Sequence, residues 1–171
     1  MSLSLEGKVA LVTGAGRGGH GIGYGIAVAL AAAGADVAIT ARTNIADAEA
    51  VAKAVEALGR RGLALSCDVA DAASVDALFK DVDAAFGQID ILVNNAGITK
   101  DTLLLRMSEE QWDSVLDSNL KGTFLCTKAA SKRMLSRRTG RIVNITSVNG
   151  LVGSPGQANY SASKAGMIGI T

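Results

Sequence analysis

Short runs of Val, Ile and Leu alternate along this chain with longer alanine-rich stretches, and no other feature restricts its fold as much. The runs at 8–13, 37–40, 63–67, 89–93 and 141–145 are bounded by turn residues, the pattern of strands buried on both faces. Residues 21–33 and 45–58 have helical composition, and Gly34 is placed to end the first of these helices. A third helix is predicted from an Asp71 cap towards Phe86, closed by Gly87. Ser108 and Gln111 have capping-box spacing, so a helix begins there; a long helix follows over about 119–135, and 160–170 carry a last helical pattern. Strands alternating with helices imply right-handed crossovers and a parallel sheet covered on both faces. The fold class predicted is α/β, a doubly wound parallel sheet.

With 171 residues the chain suffices for one domain, 1–171, and falls short of two. Apolar residues at 49% and a single proline exclude a disordered or proline-rich linker chain. The formal net charge of +1 supplies no long-range attraction to nucleic acid or an anionic membrane, so neither is expected as a partner. Cys67 and Cys126 sit in apolar runs without ligand spacing, which argues for reduced core thiols and against a metal site or disulfide framework. Neither a signal-peptide pattern nor an apolar run of membrane-spanning length is present, and the location expected is cytoplasmic.

Between the first strand and the first helix runs Thr13-Gly14-Ala15-Gly16-Arg17-Gly18-Gly19-His20-Gly21-Ile22-Gly23. In that context glycines let the backbone turn sharply and approach a pyrophosphate, while the N–H groups and dipole of the following helix attract negative charge. This is the phosphate loop of a Rossmann fold, and Gly14, Arg17, Gly21, Ile22 and Gly23 are its candidate cofactor contacts. An acidic residue after the second strand would accept hydrogen bonds from an adenosine ribose; this chain has Ala41 followed by Arg42. A cation suits a 2′-phosphate, and Arg17 is placed to add a second, so the cofactor expected is NADPH/NADP.

Asn94-Asn95-Ala96-Gly97, Asn119, Ser147 and Tyr160-Ser161-Ala162-Ser163-Lys164 together resemble the short-chain dehydrogenase/reductase family. Residues 94–99, 101–106 and 156–160 are most similar to its β-ketoacyl-[acyl-carrier-protein] reductases, and the resemblance covers essentially the whole chain. It implies a catalytic tetrad of Asn119, Ser147, Tyr160 and Lys164, with Asp68 and Val69 at the adenine and Asn95, Ala96 and Gly97 along the cofactor ribose. It further implies that Lys164 grips the nicotinamide ribose and that Asn119 supports a proton-supplying water. The residues agree independently in one respect: Tyr160 and Lys164 are i and i+4, neighbours on a helix face. A phenol is a poor acid near neutrality, and an adjacent ammonium favours its ionised form. Hydride delivered to a ketone carbon leaves charge on the oxygen, which then needs a proton and a hydrogen-bond donor. Tyr160 is the candidate for the first and Ser147 for the second. The activity implied is NADPH-dependent reduction of 3-oxoacyl-[acyl-carrier-protein] to the 3-hydroxyacyl form in fatty-acid biosynthesis. Acyl carrier protein is the implied partner and a homo-oligomer, dimer or tetramer, the implied assembly.

Two features depart from the family pattern. Six residues separate Gly14 from Gly21, three more than usual, and His20 in the longer loop is read as surface. Members of the family also continue through further strands and helices, whereas this chain stops within its last helical pattern, so the Rossmann domain is expected to be incomplete at its C-terminus. Two competing readings therefore stand beside the first: reduction of another ketone or alcohol, and a catalytically silent dinucleotide-binding fragment. Ala162, Ala165, Met167 and Ile168 are either subunit interface, as in the family, or intrachain core. Lys128, Lys132, Arg133, Arg137, Arg138 and Arg141 either solvate a helix end or dock an acidic acyl carrier protein. Trp112 is expected in the core or in helix packing.

Overall fold

Each apolar run becomes a strand of one parallel sheet: β1 (Val9–Val12), β2 (Asp36–Ala41), β3 (Gly62–Ser66), β4 (Ile91–Asn94) and β5 (Arg141–Asn144). The computed structural model describes residues 4–16 and 20–171, and across these the strand order is β3-β2-β1-β4-β5. Seven α-helices accompany the strands among the described residues: α1 (Ile22–Ala32), α2 (Ile45–Glu56), α3 (Ala72–Phe86), α4 (Glu109–Leu116), α5 (Gly122–Arg137), α6 (Asn149–Val152) and α7 (Ala158–Ile170).

Because successive strand side chains point to opposite faces, each run feeds two cores at once. Ala10, Val12, Val37, Ile39 and Val93 pack against Ala27 and Ala31 of α1 and Val51 and Val55 of α2. Leu11, Ala38 and Leu92 face the other way, onto Leu78, Phe79 and Val82 of α3 and Cys126, Ala130 and Met134 of α5. Full burial of a side chain such as Leu or Phe stabilises the fold by about 1.5–3 kcal/mol, which is why the helix stripes facing the sheet are apolar. Both cysteines are free and buried, and burial pushes the Cys126 thiol up to about 12.

The helix ends follow their local chemistry. The Asp71 carboxylate accepts from the Ala73 and Ser74 amides, and α3 stops where Gly87 turns left-handed at φ 78°. At α4 both halves of the capping box are made, Gln111 N–H donating to Ser108 Oγ and Ser108 N–H to Gln111 Oε1.

Several boundaries differ from the sequence reading. The helix expected to start near Asn119 is instead one run with α4, joined to α5 by the π-helical turn Asp117–Lys121 that holds Asn119. Strand β4 begins at Ile91 rather than 89, because Asp90 is engaged as a lead-in whose carboxylate accepts from the Val9 amide. The short α6 and the 3-10 turn Leu104–Arg106 lacked a periodic signal. Trp112 is 36% exposed on α4, where Val115 is the residue turned inward. On α7, Met167 is intrachain core while Ala162, Ala165 and Ile168 stand exposed. No helix among the described residues is long and apolar enough to cross a membrane.

Candidate active site

At their carboxyl ends the strands open onto a crevice of about 590 Å³, within the range of small-molecule clefts. Strand order reverses between β1 and β4, and ligands of doubly wound sheets bind at such a switch point. The glycine loop is held there from both sides. Gly14 N–H donates to Thr40 Oγ1 at 3.1 Å and Ala15 N–H to the Thr40 carbonyl at 3.1 Å. On the other flank Asn95 Nδ2 donates to the Thr13 and Gly14 carbonyls at 2.9 and 3.1 Å. Thr13 Oγ1 accepts from the Asn95 and Ala96 amides, both at 3.1 Å. Gly14, at φ 66°, lies so close to Ala96 that a Cβ would stand 2.5 Å from the Ala96 Cα. Helix α1 then starts from Gly21 with neither a side-chain cap nor an acidic residue in its first turn, leaving its amides and dipole for an anion.

Gly14, Gly21, Ile22 and Gly23 line this crevice; Arg17 lies outside the described residues. His20, read as surface, is exposed but also lines the crevice. Arg42 lines it after β2 and forms no ion pair among the described residues. Asp68 and Val69 line it after β3, and Asn95, Ala96 and Gly97 after β4. Thr13 and Thr40 were missed as loop anchors, since their sequence signal is only a hydroxyl at a strand end.

Tyr160 and Lys164 line the opposite side of the same crevice. The Lys164 ammonium donates to the Ile145 carbonyl at 2.7 Å and stands 5.7 Å from the Tyr160 ring centre. Burial pushes the Lys164 amine down to about 8, because the charged form loses hydration. Thr146 Oγ1 donates to the Lys164 carbonyl at 2.9 Å, so the segment leaving β5 is hooked to α7 twice. Ser147 follows that hook; its Oγ accepts the Asn149 amide at 3.2 Å, which keeps its own proton available for another acceptor. Asn119 lies fully buried beneath the crevice. Its Oδ1 accepts from the Ile98 amide at 2.8 Å, and its Nδ2 donates to the Ile98 carbonyl at 3.1 Å and to Ser163 Oγ at 3.0 Å. Asn119 thus clamps the segment that lines the crevice after β4.

The basic cluster is divided. Arg133 pairs with Asp83 at 2.7 Å, and Arg137 pairs with Asp90 at 3.2 Å and donates to the Ile89 carbonyl. Arg138 and Arg141 are exposed at the amino end of β5, opposite the end where the crevice opens.

Residues 8–171 match the short chain dehydrogenase family. The chain belongs to that family. A 3-oxoacyl-[acyl-carrier-protein] reductase of Synechocystis sp. is 54% identical over 168 residues, 98% of this chain and 67% of the relative. The 3-oxoacyl-[acyl-carrier-protein] reductase FabG of Staphylococcus aureus is 52% identical over 164 residues, 96% of this chain and 65% of that one. A crystal structure of a protein described as a short-chain alcohol dehydrogenase, from Sinorhizobium meliloti, superposes with a TM-score of 0.94 at 42% identity, covering 100% of this chain and 66% of its own. The chain therefore spans about two thirds of the length of the relatives it matches.

Proposed function

We propose that this chain, as one dinucleotide-binding domain, reduces a 3-oxoacyl group carried by acyl carrier protein to the 3-hydroxyacyl form with NADPH. The observation that carries the reading is the meeting, in one crevice, of an uncapped helix start behind a glycine loop with the Tyr160 and Lys164 pair. The residues fit the cofactor: Gly14 and Gly23 pack so tightly on Ala96 and Ala15 that neither site admits a Cβ, which holds the loop in its turn before α1, the α1 amides are uncapped and open to an anion, and Arg42, without an ion pair among the described residues, is a cation where a 2′-phosphate would lie. Asp68, Val69 and the 95–97 segment would receive the adenosine and ribose portions. Bound there, the nicotinamide supplies hydride to the carbonyl carbon.

The protein's own residues handle the oxygen. Tyr160 gives its phenolic proton to the oxygen as charge develops, and Ser147 donates a hydrogen bond to the same atom. Lys164, held by the Ile145 carbonyl, presents a cation beside the Tyr160 ring and would hold the nicotinamide ribose of a bound cofactor. Asn119 keeps Ile98 and the crevice wall in register. Acyl carrier protein as the carrier follows the names of the relatives.

Purified chain mixed with NADPH and an acetoacetyl thioester should lose nicotinamide absorbance, and Tyr160→Phe should abolish that loss while cofactor binding persists. Binding without turnover in the parent chain would reject the reductase reading in favour of a silent binding fragment. Turnover of other ketones alone, in a panel including sugars and steroids, would change the substrate.

A further inference from the structure

Two loops on the substrate side of the crevice are joined through one side chain that the reading above leaves without a role. Gln157 is the N-cap residue of α7, three positions before Tyr160, and its carbonyl accepts the Ser161 amide at 2.8 Å. Its side chain faces away from its own helix. Gln157 Oε1 accepts from Asn149 Nδ2 at 2.6 Å, and Gln157 Nε2 donates to Asp101 Oδ2 at 2.8 Å. Asn149 is also the residue whose amide donates to Ser147 Oγ. A main-chain bond runs beside this chain of contacts, Thr102 N–H to the Gly156 carbonyl at 2.8 Å.

A strap of Asp101, Gln157, Asn149 and Ser147 therefore ties the loop after β4 to α6 and the start of α7, with Asp101 lying 56 positions before Gln157. Its chemistry needs a carboxamide at its centre. One end must accept and the other donate, which neither a carboxylate nor a hydrocarbon can do. A carboxylate there would also face Asp101 with like charge and no proton between them.

We propose that Gln157 is a positioning residue, holding Ser147 through Asn149 and fixing the 101–102 loop over the site, so that the serine hydroxyl and the Tyr160 phenol address one oxygen. The inference rests on the reductase reading for its catalytic consequence and on the hydrogen bonds alone for the strap itself.

The two are separated by experiment. In amide hydrogen exchange on the full chain without cofactor, Gln157→Ala should speed exchange at Thr102 and Asn149 by about tenfold, the loss of a hydrogen bond's worth of protection, and leave the β1 and β4 amides unchanged. Unchanged exchange at Thr102 and Asn149 overturns the strap. In turnover of an acetoacetyl thioester, Gln157→Glu should lower kcat about tenfold, with NADPH affinity within about twofold of the parent. Adding Asp101→Asn exchanges donor and acceptor across the broken contact and should restore most of kcat, a rescue that general loosening of the fold would not produce. A kcat unaffected by Gln157→Glu, or a double variant no better than the single one, overturns the positioning role. A parent chain without turnover overturns the reductase reading and the catalytic role with it, while the exchange result still decides the strap.

Discussion

Asn119→Ala tests the clamp beneath the crevice. The substitution deletes one acceptor and two donors, leaving the Ile98 amide, the Ile98 carbonyl and the Ser163 hydroxyl without their partner. Ser163 is the least affected, since its hydroxyl still donates to the Tyr160 carbonyl at 2.7 Å. At a net worth of about 1 kcal/mol per neutral hydrogen bond, the three contacts amount to about 3 kcal/mol. Domains of this size have about 5–15 kcal/mol in total, so the variant folds with a melting midpoint lower by about 6–12 °C. Thermal and urea unfolding of the chain without nucleotide measure this loss apart from any effect on catalysis. Asn119→Asp keeps the bond from the Ile98 amide, forfeits both donors, and sets a buried carboxylate against a carbonyl, so it should fall at least as far. A loss below about 1 kcal/mol in Asn119→Ala would refute the clamp and leave Asn119 with only a role that needs bound ligand.

Three further outcomes follow from the geometry. Asp90→Ala strips partners from the Val9 amide, Gln88 and Arg137 at the amino end of the sheet; because Arg137 is partly exposed, the unfolding free energy should drop by about 3 kcal/mol, at the low end for a broken buried pair. An unchanged denaturation midpoint would contradict it. Gly14→Ala forces a side chain into left-handed backbone and against Ala96, so NADPH affinity, read by fluorescence titration, should weaken about tenfold or more; equal affinity would mean that the loop does not depend on that approach. The Lys164 amine, lowered to about 8, is cationic below that pH and neutral above it, so kcat/KM for reduction should decline as pH rises through about 8. Lys164→Arg keeps the cation and should move that decline upward, and a descending limb at the same pH in both proteins would assign it to another group.

What the chain encodes locally was readable before any coordinates. Strand runs, the Asp71 cap, the Gly87 stop and the Ser108 capping box need only residues within a few positions of one another, and the alternation of the two element types already implies a parallel sheet with helices on both faces. The Tyr160 and Lys164 neighbourhood on one helix belongs to the same class, being a matter of spacing. Tertiary structure decided the rest. The π turn that brings Asn119 under Ile98, the Thr40 hydroxyl against Gly14 of the glycine loop, the Thr13 hydroxyl against the Asn95 and Ala96 amides, the consumption of Arg133 and Arg137 in internal ion pairs, and the union of Asp101 with Gln157 join residues 21 to 83 positions apart. Such contacts leave no periodic trace, because a hydrogen bond between distant segments depends on which strand lies beside which, and the burial that lowers the Lys164 amine exists only after those segments have closed around it.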